Sequence, residues 1–217
     1  MVMDELEILK KDWQSREQEY PQLSSKEIYP MLLRKSSSMV KWIFYISVAE
    51  LVLWTALSLI VPESSKQINE EMGMKTTLIV MSVLGYVITL AFIYLFYRNY
   101  RTIKVTDTIK NLMASILRTR RTVQYFVYYN IGMAIVLLVI SNIVYYQRKD
   151  DLYAVLSKYS ESYAAIPVES FTSVFFTAQL IVGILLIGFL MLFYYLIYGL
   201  LLRRLKRNYK ELKKIEV

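Results

Sequence analysis

A single acidic side chain, Glu50, interrupts an otherwise apolar and aromatic stretch of this sequence. The stretch reads VKWIFYISVAELVLW and covers residues 40–54. Residues three or four positions apart share one face of a helix, so a helix here would carry a polar stripe. The stripe comprises Ser47, Glu50, Trp54 and Ser58. In a membrane an acid costs roughly 3 kcal/mol, so this stripe is expected to face other helices and not lipid.

Glu50 has two interpretations. As a functional group it is a carboxylate that binds protons or cations. As a structural group it is a neutral carboxylic acid that hydrogen-bonds to another helix. A pathway usually needs several polar groups in series, and the apolar stretches contain few others. These are Ser82, Thr89, Asn130, Asn142, Thr177 and Gln179. We therefore favour the structural interpretation.

Residue types that carry much enzyme chemistry are absent. The chain has no histidine, the commonest metal ligand and general base, and no cysteine, so it has neither thiol chemistry nor disulfides. It also lacks a glycine-rich phosphate loop and a serine elbow. The sequence predicts no catalytic residue, no metal site, no cofactor and no enzymatic activity.

Four apolar blocks dominate the chain, which is 56% hydrophobic. They cover residues 42–61, 76–97, 126–146 and 171–202, and each exceeds the roughly 18 residues that can cross a bilayer. All four prolines lie outside the blocks. The sequence predicts an all-α polytopic membrane protein with four transmembrane helices.

The basic residues are distributed unequally among the connecting segments. Seven precede the first block, seven lie between the second and third, and seven follow the fourth, whereas the other two connections hold two and three. Lys and Arg accumulate in cytoplasmic segments. We therefore expect a bacterial inner-membrane protein with both termini in the cytoplasm. The positive charge is expected to bind the anionic inner leaflet, with a free energy of about 1 kcal/mol per cation near the surface. We predict no nucleic-acid partner.

Tyrosines cluster where the blocks approach the predicted cytoplasmic side. They are Tyr94, Tyr97, Tyr100, Tyr125, Tyr128, Tyr129, Tyr194, Tyr195 and Tyr198. Aromatic residues are enriched at membrane interfaces. We interpret all nine as an interfacial belt.

These patterns divide the chain into five parts. They are a cytoplasmic helical segment (1–40), a first transmembrane hairpin (41–97), a cytoplasmic basic amphipathic helix (98–124), a second hairpin (125–202) with an external loop (147–170), and a basic cytoplasmic tail (203–217). The two hairpins share a pattern: VKWIFYISVA resembles VQYFVYYNIG, and FIYLFY resembles FYYLIY. Either the chain contains two parallel repeats, related by an axis along the membrane normal, or aromatic-rich span ends look alike by chance.

The first cytoplasmic segment is predicted to form two helices. The first presents an apolar face at helical spacing, Leu6, Leu9 and Trp13, and we predict that this face binds a protein partner in the cytoplasm or membrane. The second would begin at a capping box formed by Ser24 and Glu27. We expect Pro30 to kink it before it enters the first span.

The middle segment has the clearest amphipathic pattern. Asp107 is the expected cap, and an apolar face including Ile116 and Leu117 follows it. Lys110, Arg118 and Arg121 lie elsewhere on this helix and are predicted to face anionic lipid. The helix would lie either on the inner leaflet or against the bundle.

Three segments carry a family resemblance. MDELEILKKDW, EIYPMLLRKSSSMVKWI and ILRTRRTVQYFVYYNIGMA together resemble a group of short, uncharacterised four-span inner-membrane proteins of flavobacteria and relatives. Such proteins often carry a carotene-monooxygenase label. A carotenoid cleavage oxygenase holds iron on four histidines, so the absence of histidine argues against that label. The resemblance implies no catalytic residue.

Two functions from different classes fit the sequence. The favoured one is a non-enzymatic membrane regulator or scaffold that binds a cytoplasmic partner through its amino-terminal helices, in the manner of a membrane-tethered anti-sigma factor. The alternative is a small transporter or channel component that uses Glu50 within the membrane. Either is compatible with a homo-oligomer.

Overall fold

A computed structural model describes residues 25–104 and 108–216. Within these ranges the chain forms eight α-helices and one π-helical turn, and no strand. The helices are α1 (Ser25–Ile60), α2 (Glu63–Glu71), α3 (Lys75–Lys104), α4 (Ile109–Gln147), α5 (Lys149–Tyr159), α6 (Glu161–Ala164), α7 (Val168–Tyr194) and α8 (Leu200–Glu216). The π turn, Tyr195–Gly199, joins α7 to α8.

Four helical runs are long and apolar enough to cross a membrane. They are α1, α3, α4 and the continuous run from α7 through α8. Large apolar side chains are exposed along all four, for example Leu59, Val87, Val139 and Leu185. The predicted all-α fold with four helices of membrane-crossing length is therefore confirmed.

The bundle has two different ends. At one, which we call the basic end, α1 begins, α3 passes to α4 and α8 ends. At the other, the loop end, lie the short helices α2, α5 and α6. The main hydrophobic core belongs to the basic end. It includes Leu32, Val40, Ile43, Phe96, Ile103, Leu112, Ile116, Val123, Phe126, Tyr198, Leu205 and Leu212.

A smaller cluster holds the loop end together. Its buried members are Met72, Met74, Leu152, Leu156, Phe171 and Phe175. The turn into α3 depends on Gly73, whose φ of 73° lies in the left-handed region that favours glycine. A Cβ at this position would also lie 3.1 Å from Nη1 of Arg148. The loop end is thus an ordered cap in which α2 packs on α5.

Pro30 does not end the first helix. The helix α1 runs through Pro30 into the first apolar block, as expected of the second predicted helix. A proline removes one backbone hydrogen bond. The turns that follow bury Leu32 and Ser36, and this packing holds the helix together beyond the proline. Ser24, the expected capping residue, lies outside the described residues.

The predicted middle helix and basic tail are likewise extensions of the membrane-length helices. Thr108, and not Asp107, caps α4: its Oγ1 accepts a hydrogen bond from the backbone N–H of Asn111 at 3.3 Å. Asp107 itself lies outside the described residues. From this cap α4 continues into the third apolar block. The predicted basic tail lies within α8, in which Leu205 and Leu212 are buried. Segments 98–124 and 203–217 thus contain helices that continue into the membrane-length runs.

Positions matched by the predicted repeat have matched environments. Val40 and Val123 are both 0% exposed, whereas Trp42 and Tyr125 are 59% and 64% exposed. Duplication would produce this agreement. Similar span ends at the same depth would produce it as well, so the repeat stays a prediction.

Candidate functional site

Glu50 lies at the contact between the first and fourth membrane-length helices. Its side chain, on α1, is only 5% exposed. Its Oε1 accepts a hydrogen bond from the Tyr194 hydroxyl, and its Oε2 accepts one from the Tyr198 hydroxyl at 2.9 Å. Each carboxyl oxygen therefore has a donor from the fourth helix, as a buried polar group requires.

The two tyrosines that reach Glu50 lie immediately before the π turn and within it. Tyr194 ends α7, and Tyr198 lies four residues later within the turn. In an α-helix, residues four apart differ in direction by about 40°. The two tyrosines therefore share one face of the run, and both hydroxyls donate to Glu50. Single π turns inside helices occur frequently at functional sites.

The polar stripe of α1 borders a cavity between the helices. The cavity has a volume of about 690 Å³, and Glu50, Trp54 and Ser58 line it. Ser47 does not: it is buried, and its hydroxyl donates to the Phe44 carbonyl of its own helix at 2.8 Å. Three of the four stripe residues thus line one cavity.

Polar side chains from the other three membrane-length helices and from α2 line the same cavity. They include Asn69, Ser82, Thr89, Asn130, Ser141 and Gln179. Four of these belong to the six polar residues that the sequence analysis considered too few for a pathway through the membrane. Tertiary packing brings them together with Glu50, which revives the functional interpretation of the carboxylate.

The cavity is closed towards both ends of the bundle. At its floor lie Glu50 and Phe126, and the Phe126 ring packs edge-on against Tyr198 with centroids 5.8 Å apart. At its roof the Tyr145 hydroxyl donates to Oδ1 of Asn69 at 3.1 Å. Because the packed core lies beyond the floor, the cavity is a pocket and not a continuous pore.

The remaining side of the cavity lies between α1 and α7. The helix α7 packs against α4, whereas α1 approaches the fourth membrane-length run chiefly through α8, near the basic end. Trp54 of α1 and Leu186 of α7 both line the cavity, and they are 41% and 43% exposed. The cavity therefore opens sideways, through the flank of the bundle.

An ion pair joins the two parts of the loop-end cap. Nζ of Lys158 lies 2.6 Å from Oε1 of Glu71, which also accepts a hydrogen bond from the Tyr159 hydroxyl. The hydrogen bond from Lys158 and that from Tyr159 lower the pKa of Glu71 below its ordinary value of 4.5. The bond to Glu71 raises the pKa of Lys158.

The predicted tyrosine belt is only partly correct. Tyr94, Tyr97, Tyr125, Tyr128 and Tyr195 are exposed, as a belt requires. Tyr194 and Tyr198 are buried and donate hydrogen bonds to Glu50, a role that the sequence analysis did not predict. Their four-residue spacing at the end of the last apolar block was the available signal.

The other predicted site residues are placed as follows. Lys110, Arg118 and Arg121 are exposed on the basic-end half of α4, whose opposite face packs in the bundle core. Leu117, predicted to lie on the apolar face of this helix, is exposed, whereas the polar residues Ser115 and Thr119 are buried. Leu6, Leu9 and Trp13 lie outside the described residues. In the ranges that the structure covers, no group of three or more acidic residues could hold a metal.

One known family matches this architecture. Its description is "Domain of unknown function (DUF8845)", and the match covers residues 26–217, hence Glu50, its tyrosines and the whole cavity. The chain belongs to the DUF8845 family. No curated protein and no solved structure matches the chain. The family match begins after the predicted partner-binding face and coincides with α1 to α8.

Proposed function

We propose that this chain is a non-enzymatic, multi-pass inner-membrane regulator or scaffold that binds a protein partner through its amino-terminal segment. The helical core of the basic end carries this proposal. Residues from α1, α3, α4 and α8 extend past the apolar blocks and pack into one core around Ile103, Leu112 and Leu212. Such a core is a rigid base for a tethered partner-binding segment.

Membrane insertion is supported by the surface of the four long helices. Exposed apolar side chains run along them, and exposed tyrosines near the basic end match an interfacial belt. Lys41 lies over the Tyr45 ring, 5.5 Å from its centroid, and Arg203 over the Tyr195 ring at 4.9 Å. The basic end would face the cytoplasm, by the positive-inside rule.

The Glu50 contact gives this regulator a route from membrane to cytoplasm. Glu50 lines the cavity, while Tyr198 belongs to the basic-end core. A change at the carboxyl group would alter its bonds to both tyrosines and hence the position of the π turn that leads into α8. The cavity would serve as the sensing element and α8 as the reporting element.

The test is affinity purification of the full chain from its native membrane in mild detergent. Changing Leu9 and Trp13 together to Ala should release the partner, because both apolar side chains of the binding face are lost. The matched control changes Lys11 and Ser15 to Ala, on the opposite side of the predicted helix, and should retain the partner. Equal retention by both double variants contradicts the proposal.

A deletion that accompanies this test should stop at residue 24. Leu32 and Ser36 are buried in α1, and Ser36 accepts a hydrogen bond from Nδ2 of Asn208 at 3.1 Å. Removing them would disturb the core and confuse loss of a partner with loss of the fold.

A small transporter component is the second candidate. The polar lining of the cavity favours it, since transport sites are built from such groups. The closed floor favours the regulator. Flux of a candidate solute into vesicles that contain the purified chain, and its loss in Glu50→Gln, would support transport.

A further inference from the structure

We propose that the cavity binds a lipophilic organic cation, with the Glu50 carboxylate as its counter-ion. The charge of the lining carries the first step. Among the described residues that line the cavity, Glu50 is the one acidic side chain, and no Lys or Arg accompanies it. A carboxylate with no basic side chain beside it, in a space lined mainly by apolar groups, favours a cation over a neutral or anionic molecule.

The aromatic lining gives the second step. Trp54, Tyr86, Phe126 and Tyr194 border the same space as Glu50. The faces of aromatic rings attract ammonium-type cations, and this attraction is strongest for tryptophan and for desolvated sites. A carboxylate among aromatic rings is therefore the chemistry that recognises an organic cation.

Size and ligand geometry exclude an inorganic cation as the best fit. Hard metal ions need about six oxygen ligands in a compact shell. Both oxygens of Glu50 already accept tyrosine hydrogen bonds, and no second carboxylate lines the cavity among the described residues. A volume of about 690 Å³ suits a small organic molecule, for which sites of roughly 300–1,000 Å³ are usual.

The sideways opening determines that the cation is lipophilic. The gap between α1 and α7 is bordered by Trp54 and Leu186, and it faces the flank of the bundle that we assign to the membrane. A ligand would enter through lipid, with apolar groups against residues such as Leu137 and Leu190 and its charge against Glu50. This inference goes beyond the proposed function and does not require the protein partner.

The test uses two probes of the same shape and opposite charge, tetraphenylphosphonium and tetraphenylborate. Equilibrium dialysis of the purified full chain in a neutral detergent should show saturable binding of tetraphenylphosphonium and not of tetraphenylborate. Glu50→Gln should weaken the phosphonium affinity by roughly 30-fold or more, because it removes one partner of a buried charge pair. Glu63→Gln, the same change at an exposed position, should leave the affinity unchanged.

A second variant tests the location without altering Glu50. Ala134 lines the cavity, and Ala134→Phe would occupy the space that the probe needs. Phosphonium binding should be lost while the helical circular dichroism and unfolding midpoint stay close to those of the unmodified chain. If Glu50→Gln does not fold, Ala134→Phe decides the matter. Absence of saturable phosphonium binding, equal binding of the borate, or unchanged affinity in a folded Glu50→Gln or Ala134→Phe variant overturns the proposal.

Discussion

The stability of the bundle should depend on hydrogen bonding at Glu50 and not on its charge. Glu50 accepts one bond from Tyr194 and one from Tyr198, and both cross from the first to the fourth membrane-length helix. In Glu50→Gln the amide oxygen can accept one bond, and the amide N–H can donate to the other hydroxyl oxygen. We expect the free energy of unfolding of this variant to lie within about 1 kcal/mol of that of the unmodified chain.

Glu50→Leu has a similar volume but removes both bonds. Interhelical hydrogen bonds in membranes contribute about 0.6 kcal/mol on average and up to about 1.7 kcal/mol. Two of them predict a loss of about 1 to 3 kcal/mol, and the loss includes the cost of leaving two buried hydroxyls without an acceptor. Changing Tyr194 and Tyr198 to Phe in the Leu background removes those hydroxyls. The triple variant should therefore recover part of the loss.

The assay is reversible unfolding of the purified chain in detergent micelles, followed by far-ultraviolet circular dichroism and extrapolated to zero denaturant. Leu53→Ala, at an exposed position of the same helix, controls for the effect of altering α1. A Leu variant as stable as the unmodified chain would refute the role of the two bonds. A Gln variant as unstable as Leu would show that the charge of Glu50 holds the helices together.

Two further predictions concern the ends of the bundle. Because the folded-state pKa of Glu71 is lowered, its pair with Lys158 should stabilise the chain above about pH 4.5 and lose that effect as the pH falls through the folded pKa. Thus the difference in unfolding midpoint between Glu71→Gln and the unmodified chain should vanish in acid, and a difference that persists there would contradict this role of Glu71. A Cys at Gln67, at the loop end, should react with a membrane-impermeant thiol reagent in intact cells, and a Cys at Lys210 should not; the reverse pattern would invert the proposed orientation.

The existence and type of the long helices follow from local sequence. Blocks of about 20 apolar residues without proline can satisfy their backbone only as helices in lipid, so their number is readable without any tertiary information. The boundaries are different. Thr108 and Asp107 are both suitable N-cap residues by type, so the sequence alone does not show at which of them the helix begins.

The segments outside the apolar blocks were the weakest part of the prediction. The residues 98–124 and 203–217 have the charge of surface segments, and their apolar positions fit either lipid or protein. In the structure, Leu112 and Leu212 are both fully buried in the basic-end core. An amphipathic pattern specifies that a face must be covered, but it does not specify by what.

The candidate site shows the same division. Sequence alone identified Glu50 and the face of the helix on which it lies, because an acid among apolar residues is recognisable by type and its direction follows from helical spacing. It did not identify Tyr194 and Tyr198 as partners, since they lie more than 140 positions away and only the packing of the first helix against the fourth brings them to Glu50. Nor could it place Ser82, Asn130 and Gln179 around one cavity.

The sequence alone identified the polar residues within the apolar blocks, and tertiary structure decided what they contact. The helical period fixes the direction of a side chain relative to its own helix, to within a fraction of a turn. The relative rotation and height of four helices depend on packing between residues far apart in the chain, such as Phe126 against Tyr198. The cavity at Glu50 is a product of that packing, because its lining comes from all four long helices and no single segment encodes it.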